Sequence, residues 1–323
     1  MNMTRREIIG ASICTIMHGA PVTQSATDRG KTPHRAGPYV TVYRPKPDVF
    51  PGPDTVSFRA GGIYERWVPN DHAIIKGRDG RWHAIGITHP KPPPEGRIHE
   101  GEFLSFHAAS PVGTLRDVAS DDGWFDLPKV LPPADRPGEK NENHAPYIIE
   151  HNQQYWMIYG PSPMRCATSP DLTRWTPRGE LFKQEGGARD PNILIVDGTY
   201  YLTYVTGNSL LCRTAKVLGE WNQEPVEILR LEKGAPESPT LLRYDGAFYI
   251  FYAIWDGTHG PYDSRTFVHR SDDPLRFRGG PIAQLDAHAP EIFQNEEGAW
   301  WISSVEYPAT GVSLAPLEWR ERK

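Results

Sequence analysis

The chain of 323 residues is poor in cysteine, in long apolar runs and in basic clusters. Its three cysteines, Cys14, Cys166 and Cys212, are too few for a disulfide framework, so we expect the last two to be buried structural thiols. Beyond the N-terminal segment, no stretch approaches the roughly 20 apolar residues of a membrane-spanning helix. The net charge of -5 and the lack of a Lys/Arg-rich run argue against a nucleic-acid partner. These shortages favour a globular protein that neither spans a membrane nor binds nucleic acid.

The N-terminal segment has the pattern of an export signal. Paired arginines, Arg5 and Arg6, stand directly before a mildly apolar run over residues 8–17. This order resembles a twin-arginine signal, which a receptor reads as an address. We therefore predict a signal peptide over residues 1–26, a linker over residues 27–38, and a periplasmic or secreted protein.

Aromatic residues, glycine and proline are abundant. Aromatics make up 11% of the chain, which also has 30 glycines and 32 prolines, a mixture that favours many short strands joined by turns. One short pattern recurs five times: a turn pair, followed by an aromatic three positions after its first member. The instances are Asp79-Gly80 with Trp82, Asn152-Gln153 with Tyr155, Asp197-Gly198 with Tyr200, Asp245-Gly246 with Phe248, and Glu297-Gly298 with Trp300.

The spacing of these turns predicts the architecture. Asp-Gly between apolar runs signals a two-residue hairpin, because Gly accepts the positive φ of the turn. The intervals of 73, 45, 48 and 52 residues suit four-stranded blades, and the long first interval contains two loop-like stretches, residues 90–102 and 132–143. We predict an all-β chain with one five-bladed β-propeller over residues 39–323, its four-stranded antiparallel blades surrounding a central channel. A solenoid is the competing architecture, but five unequal units without capping repeats favour a closed ring.

An ionisable residue stands seven to nine positions before each turn. These head residues are Asp71, His144, Asp190, Glu237 and His288. Because the innermost strands of a propeller line its channel, the same ends of these strands meet at one mouth. The pattern therefore predicts a ring of three carboxylates and two imidazoles. Converging carboxylates raise one another's pKa, and carboxylates with separated pKa values are what glycoside hydrolysis needs.

Three head residues stand in short motifs: Asn70-Asp71, Arg189-Asp190-Pro191 and Glu237-Ser238-Pro239. Over roughly residues 60–320, the order of these motifs resembles the five-bladed propeller glycoside hydrolases of family 43 and the related family 32. The resemblance implies that the first Asp is the general base of an inverting family 43 enzyme or the nucleophile of a retaining family 32 enzyme. It also implies that the second Asp positions the sugar and tunes the acid, and that the Glu is the general acid.

Two departures separate the chain from family 32. The first motif continues with His72-Ala73-Ile74 instead of Pro-Asn-Gly, and Ser238 follows the acid where family 32 often has Cys. We therefore favour a family 43-like enzyme of the arabinofuranosidase or xylosidase type, inverting, which acts on plant or microbial oligo- and polysaccharides. The alternatives are a family 32-like retaining β-fructosidase, a glycoside phosphorylase and a non-catalytic sugar-binding propeller. A phosphorylase needs a cationic phosphate pocket, and a non-catalytic propeller would be expected to lose a carboxylate.

Six further side chains are candidates for contact with the carbohydrate. They are Arg189, His144, His288, Trp67, Trp255 and His259. Arg189 offers a fork of donors to hydroxyls or a salt bridge to Asp190. The two tryptophans could stack on a sugar ring, although most tryptophans here should pack between blades. The resemblance requires no cofactor, but His288 matches the place where some family 43 members keep a histidine near calcium, so a calcium ion is an option there.

Overall fold

The computed structural model describes residues 30–97, 100–139, 143–222 and 224–322. The predicted signal peptide lies outside these ranges. Four short strands come first: β1 (Lys31–Arg35), β2 (Val40–Tyr43), β3 (Asp48–Val49) and β4 (Ile63–Tyr64), of which the last two pair with each other. The described ranges also include one short α-helix, α1 (Leu115–Val118), and one 3-10 turn (Pro133–Asp135). No helix in these ranges has the length and apolar character needed to cross a membrane.

Five antiparallel sheets follow as the blades of a propeller. Blade I has β5 (Trp67–Lys76), β6 (Trp82–Pro90), β7 (Leu104–Ala109) and β8 (Phe125–Val130). Blade II has β9 (His144–His151), β10 (Gln154–Gly160), β11 (Met164–Ser169) and β12 (Thr176–Phe182). Blade III has β13 (Arg189–Val196), β14 (Thr199–Thr206), β15 (Ser209–Ala215) and β16 (Val226–Arg230). Blade IV has β17 (Ala235–Tyr244), β18 (Ala247–Trp255), β19 (Arg265–Ser271) and β20 (Ala283–Asp286).

Blade V joins the two ends of the described chain. It contains β21 (Ile292–Gln294), β22 (Trp300–Val305) and β23 (Val312–Glu321), and both β1 and β2 pair with β23. The predicted five-bladed propeller is thus confirmed, and its ring is closed by a strand from the N-terminal side. The segment predicted as a linker, residues 27–38, contains β1. Its strand character was not visible in the sequence because it depends on a partner at the far end of the chain.

The aromatic of each sequence repeat packs between blades. Trp82 of blade I lies in a cluster with Trp301 and Val305 of blade V, and Phe248 of blade IV lies in one with Leu210 of blade III. The other three repeat aromatics also pack in inter-blade clusters. Each repeat therefore supplies apolar surface that a single blade could not bury alone. The free cysteines Cys166 and Cys212 are buried in this packing, as predicted.

Every blade has the same bulge close to its head residue, within the innermost strand in blades I to IV and directly before β21 in blade V. Two residues of this strand oppose one residue of the neighbouring strand, which is the geometry of a β-bulge. The five pairs are Asn70-Asp71, Ala145-Pro146, Asp190-Pro191, Ser238-Pro239 and Ala289-Pro290. In four blades the first bulge residue has a positive φ of 44–54° and the second is proline, which a bulge accepts because no ladder hydrogen bond is needed there. The recurring prolines of the sequence thus mark the rim of the channel.

Candidate active site

Side chains distant in sequence meet at one mouth of the channel. They line a cavity of about 550 Å³, and all five predicted head residues contribute to its wall: Asp71, His144, Asp190, Glu237 and His288. Their registers differ, because His144, Glu237 and His288 directly precede a bulge, whereas Asp190 and Asp71 occupy its first and second positions. The bulges turn these side chains toward the channel axis.

The Arg189 guanidinium links two of the carboxylates. Its Nη1 donates to Asp190 Oδ2 and lies 3.5 Å from Glu237 Oε1. Its Nη2 donates to the Pro236 carbonyl oxygen at 3.2 Å, which fixes the plane of the guanidinium. Arg189 thus forms the salt bridge to Asp190 that the sequence offered as one interpretation, and it also lines the cavity, where its contact with a sugar stays a prediction.

Asp190 is buried and held on two sides. Besides Arg189, the backbone N–H of Ser238 donates to its Oδ2 at 3.2 Å. Burial raises the pKa of Asp190 to about 6, although the charge of Arg189 acts to lower it. This carboxyl is therefore braced by two blades at once.

Asp71 lies in the same cavity with a different partner. The hydroxyl of Ser238 donates to its Oδ1. Burial raises the pKa of Asp71, while this hydrogen bond and the charge of Arg189 lower it and the charge of Glu102 raises it. Ser238 thus touches two of the three carboxylates, through its hydroxyl and through its backbone amide.

His288 forms part of the opposite wall. Its Nδ1 donates to the carbonyl oxygen of Asp263 at 2.9 Å, its Nε2 lies 3.1 Å from the side-chain amide of Asn70, and the ring of Tyr262 meets it edge-on at 5.4 Å. Asp263 and Tyr262 belong to the loop between β18 and β19, whose residues Gly257, Gly260 and Pro261 also line the cavity. His288 therefore attaches this loop to blade I.

The residues described around His288 do not fit a calcium ion. Calcium takes six to eight oxygen ligands, and both ring nitrogens of His288 already have protein partners. Among the described residues, Asp256, His259 and Asp263 are close enough to share a metal ion. However, the Arg265 guanidinium occupies both of these carboxylates, with Nη2 3.0 Å from Asp256 Oδ2 and Nε 2.9 Å from Asp263 Oδ1.

The other predicted sugar contacts lie in different places. Trp255 is at the cavity mouth with 48% of its surface exposed. Trp67 is buried outside the cavity, where Phe50 packs beside it and the Lys129 ammonium lies 4.0 Å from its ring centre, so it cannot stack on a sugar. His259 is exposed on the β18–β19 loop and does not belong to the described cavity lining.

Sequence reasoning missed Glu102 and Glu291. Glu102 lines the cavity from the first loop-like stretch, which has no repeat register that could have placed it. Glu291 follows the bulge of blade V and lines, with Asp71 and Asp190, a void of about 10 Å³ in the channel beneath the cavity. Its position three residues after a head residue was a usable signal, because the strand continues along the channel.

The fold and the carboxylate-lined cavity define the class of the protein: it is a five-bladed β-propeller glycoside hydrolase. The family model described as glycosyl hydrolases family 43 matches residues 122–303, more than half of the chain, so the chain belongs to this family. Among curated proteins, no significant relative was found.

Solved structures agree in fold. A thermostable family-43 glycoside hydrolase superposes with a TM-score of 0.58 at 16% identity, covering 83% of this chain and 96% of its own. An exo-1,5-α-L-arabinanase from a bovine ruminal metagenomic library gives 0.54 at 19% identity, with 79% and 93% covered. An α-L-arabinofuranosidase from Clostridium thermocellum gives 0.59 at 15% identity, with 76% and 88% covered. At such identities the likeness concerns the fold.

Proposed function

We propose that the protein hydrolyses arabinofuranosyl or xylosyl linkages of plant or microbial oligo- and polysaccharides, with inversion at the anomeric carbon. The observation that carries this proposal is the environment of the three carboxylates, in which Asp71 is held by Ser238 and Arg189 reaches both Asp190 and Glu237. The solved arabinanase and arabinofuranosidase structures of the same fold support the choice of sugar. The twin-arginine pattern at the N-terminus supports a periplasmic or secreted location.

In this proposal the three carboxylates have separate tasks. Glu237 gives its proton to the leaving oxygen as the glycosidic C–O bond breaks, and Asp71 takes a proton from the water that attacks the anomeric carbon. Asp190, fixed by Arg189 and the Ser238 amide, orients the sugar and holds the guanidinium beside Glu237. One water is consumed, and the two carboxyl groups exchange protons with solvent before the next turnover.

The geometry gives less support to a phosphorylase. Arg189 is the one arginine or lysine among the described residues of the cavity lining. Its guanidinium already reaches Asp190, Glu237 and the Pro236 carbonyl. A phosphate would therefore meet a cation that is neutralised by carboxylates.

The leaving-group dependence of Glu237→Gln tests the role of the acid. We expect activity to fall by about 100-fold or more on glycosides with alkyl or sugar leaving groups, and much less on nitrophenyl glycosides, which need little protonation. A screen of nitrophenyl arabinofuranoside, xyloside, galactoside and fructoside-type substrates comes first. Equal losses of kcat/KM on both kinds of leaving group would contradict the assignment.

Proton NMR of the first-formed sugar tests the stereochemistry. Inversion requires a water between the sugar and Asp71, so the product should appear with the opposite anomeric configuration before mutarotation. Retention would identify Asp71 as a nucleophile that bonds the sugar. In that case the family 32-like mechanism would hold in place of the inverting one.

A further inference from the structure

Glu102 is a fourth carboxylate in the cavity. It lies in the segment between β6 and β7, outside the register of the head residues, and its side chain is 9% exposed. The mechanism proposed above has no task for it. Its position in the wall beside the reacting groups places it within reach of a bound sugar.

The backbone on either side of Glu102 is held by a tight turn and by aromatic packing. Gly101 has a φ of +97°, and its carbonyl oxygen accepts from Phe103 N at 2.7 Å. A Cβ on Gly101 would come within 3.1 Å of the Phe58 ring, so the chain passes there at close quarters. Phe103 and Phe58 belong to a buried cluster with Phe50. The turn therefore directs Glu102 into the cavity from a fixed position.

The second insertion, between β8 and β9, braces the same turn. The fully buried guanidinium of Arg136 donates from Nη2 to the carbonyl oxygen of Phe103 at 2.7 Å and from Nε to that of Leu131 at 3.0 Å. The backbone N–H of Asn143 donates to the carbonyl oxygen of Glu102 itself at 3.3 Å. The two insertions that lengthen the first repeat interval thus converge on Glu102.

The side chain of Glu102 faces a head residue. His144 Nε2 lies 3.9 Å from Glu102 Oε2, and both residues line the cavity. Asp71 lines the same cavity as Glu102 and His144, and the negative charge of Glu102 acts to raise the pKa of Asp71. Glu102 therefore lies on the side of the cavity where the sugar unit attacked near Asp71 would bind.

We propose that Glu102 and His144 form a specificity-determining pair that recognises two adjacent hydroxyls of the sugar unit bound beside Asp71. This inference rests on the proposed function. An ionised carboxylate presents two oxygens that accept hydrogen bonds, so Glu102 accepts from one or both hydroxyls of a vicinal diol. The ring of His144 completes the contact to one of them. A sugar that lacks one of these hydroxyls cannot form that hydrogen bond and is hydrolysed less efficiently.

The test compares a parent nitrophenyl glycoside, chosen by the substrate screen, with its 2-deoxy and 3-deoxy analogues. We expect Glu102→Gln and Glu102→Ala to lower kcat/KM for the parent by about 10- to 100-fold, mainly through KM. For the deoxy analogue that lacks the recognised hydroxyl, the loss of kcat/KM should be less than about threefold. The discrimination ratio, which is kcat/KM for the parent divided by kcat/KM for this analogue, should therefore fall strongly. His144→Ala should reduce the same ratio. Glu95→Gln removes a charge from an exposed site of the same insertion and should leave the ratio unchanged.

The Glu102 variants could instead lose kcat/KM equally on the parent and on both deoxy analogues, with unfolding midpoints like that of the wild type. This result would contradict the proposed role of Glu102 and His144 and would leave the proposed function unaffected. If the wild type hydrolyses no glycoside of the screen, the proposed function fails instead. The pair is then decided by calorimetric titration with L-arabinose, D-xylose and their short oligosaccharides. Binding that Glu102→Gln weakens at least tenfold supports the pair, and unaltered or absent binding overturns it.

Discussion

At the residue scale, the two aspartates show how different partners give two carboxylates different tasks. Burial raises the pKa of both Asp71 and Asp190. Asp190 is fixed by a guanidinium and a backbone amide, so it cannot easily move. Asp71 is held through a single hydroxyl, that of Ser238, and is the better placed of the two to exchange a proton.

Replacing Ser238 should move the pH profile. The Ser238 hydroxyl lowers the pKa of Asp71, so Ser238→Ala should raise it further and shift the acid limb of kcat/KM upward by about one pH unit. Ser238→Gly is the matched variant, because it also lacks the hydroxyl but relaxes the positive φ of 47° at this position. The measurement is the pH dependence of hydrolysis of a nitrophenyl glycoside. An acid limb that stays in place in both variants would show that Asp71 does not set it.

Glu291 is a further carboxylic acid whose ionised form is destabilised by burial. Burial raises the pKa of Glu291 well above its usual value, and the negative charge of Asp71 raises it further. The Glu291 carboxyl therefore stays protonated in the folded chain over a pH range in which the same carboxyl has already lost its proton in the unfolded chain. The contribution of Glu291 to the free energy of unfolding is complete below the pKa that this residue has in the unfolded chain. It is lost as the pH rises through the pKa that Glu291 has in the folded chain.

Glu291→Gln should remove this pH dependence. Above about pH 5, the free energy of unfolding of the variant should exceed that of the wild type by an amount that grows by up to about 1.4 kcal/mol per pH unit. Urea unfolding at pH 5 and pH 8 measures the difference, with Glu185→Gln on the exposed surface as the control. A difference in the free energy of unfolding between variant and wild type that becomes smaller toward pH 8 would contradict this prediction.

At the scale of elements, the five hairpins differ although their sequences look alike. In blades II, III and IV the turn pair alone connects the paired strands, as in Val196↔Thr199 around Asp197-Gly198. In blades I and V the loop has five residues, 77–81 and 295–299, of which only Gly80 and Gly298, respectively, have a positive φ. The prediction of two-residue hairpins thus holds for three blades, since in the other two the turn starts two residues earlier.

The hairpin of blade II lacks the glycine of its counterparts. Asn152 and Gln153 both have positive φ, 50° and 60°, which Gln tolerates poorly. Gln153→Gly should stabilise the protein by roughly 1 kcal/mol and raise Tm by roughly 2–4 °C. The reciprocal change, Gly198→Gln in blade III, should lower Tm by a similar amount. Calorimetry of both variants checks the sign, and a lower Tm for Gln153→Gly would refute the argument.

At the scale of the whole molecule, ring closure depends on β1. This strand pairs with β23 along its whole length, from Lys31↔Glu321 to Arg35↔Leu317, and it buries Thr32 and Pro33. The carbonyl oxygen of Lys31 also accepts from the hydroxyl of Tyr249 in blade IV at 3.0 Å. A propeller without this strand would expose the outer edge of blade V.

Truncation tests the closure. A chain that begins at Tyr39 lacks β1 and should melt at least about 5 °C below a chain that begins at Thr27, because it loses a strand ladder and its buried contacts. Both chains retain every residue of the cavity, so the comparison isolates closure from catalysis. Equal melting temperatures would mean that β1 contributes nothing to the ring.

The sequence by itself determined the number of blades, their order and the convergence of the head residues. Asp71 and Glu237, for example, were recognisable because each precedes its hairpin by a set distance, and strands that repeat in a closed ring must bring equivalent positions to one mouth. Only the tertiary structure decided the positions of Trp67, Glu102 and β1. Glu102 and β1 lie in segments without a repeat register, and Trp67 begins the innermost strand of blade I. In all three places, packing against distant parts of the chain decides whether a side chain is buried, exposed or directed into the cavity.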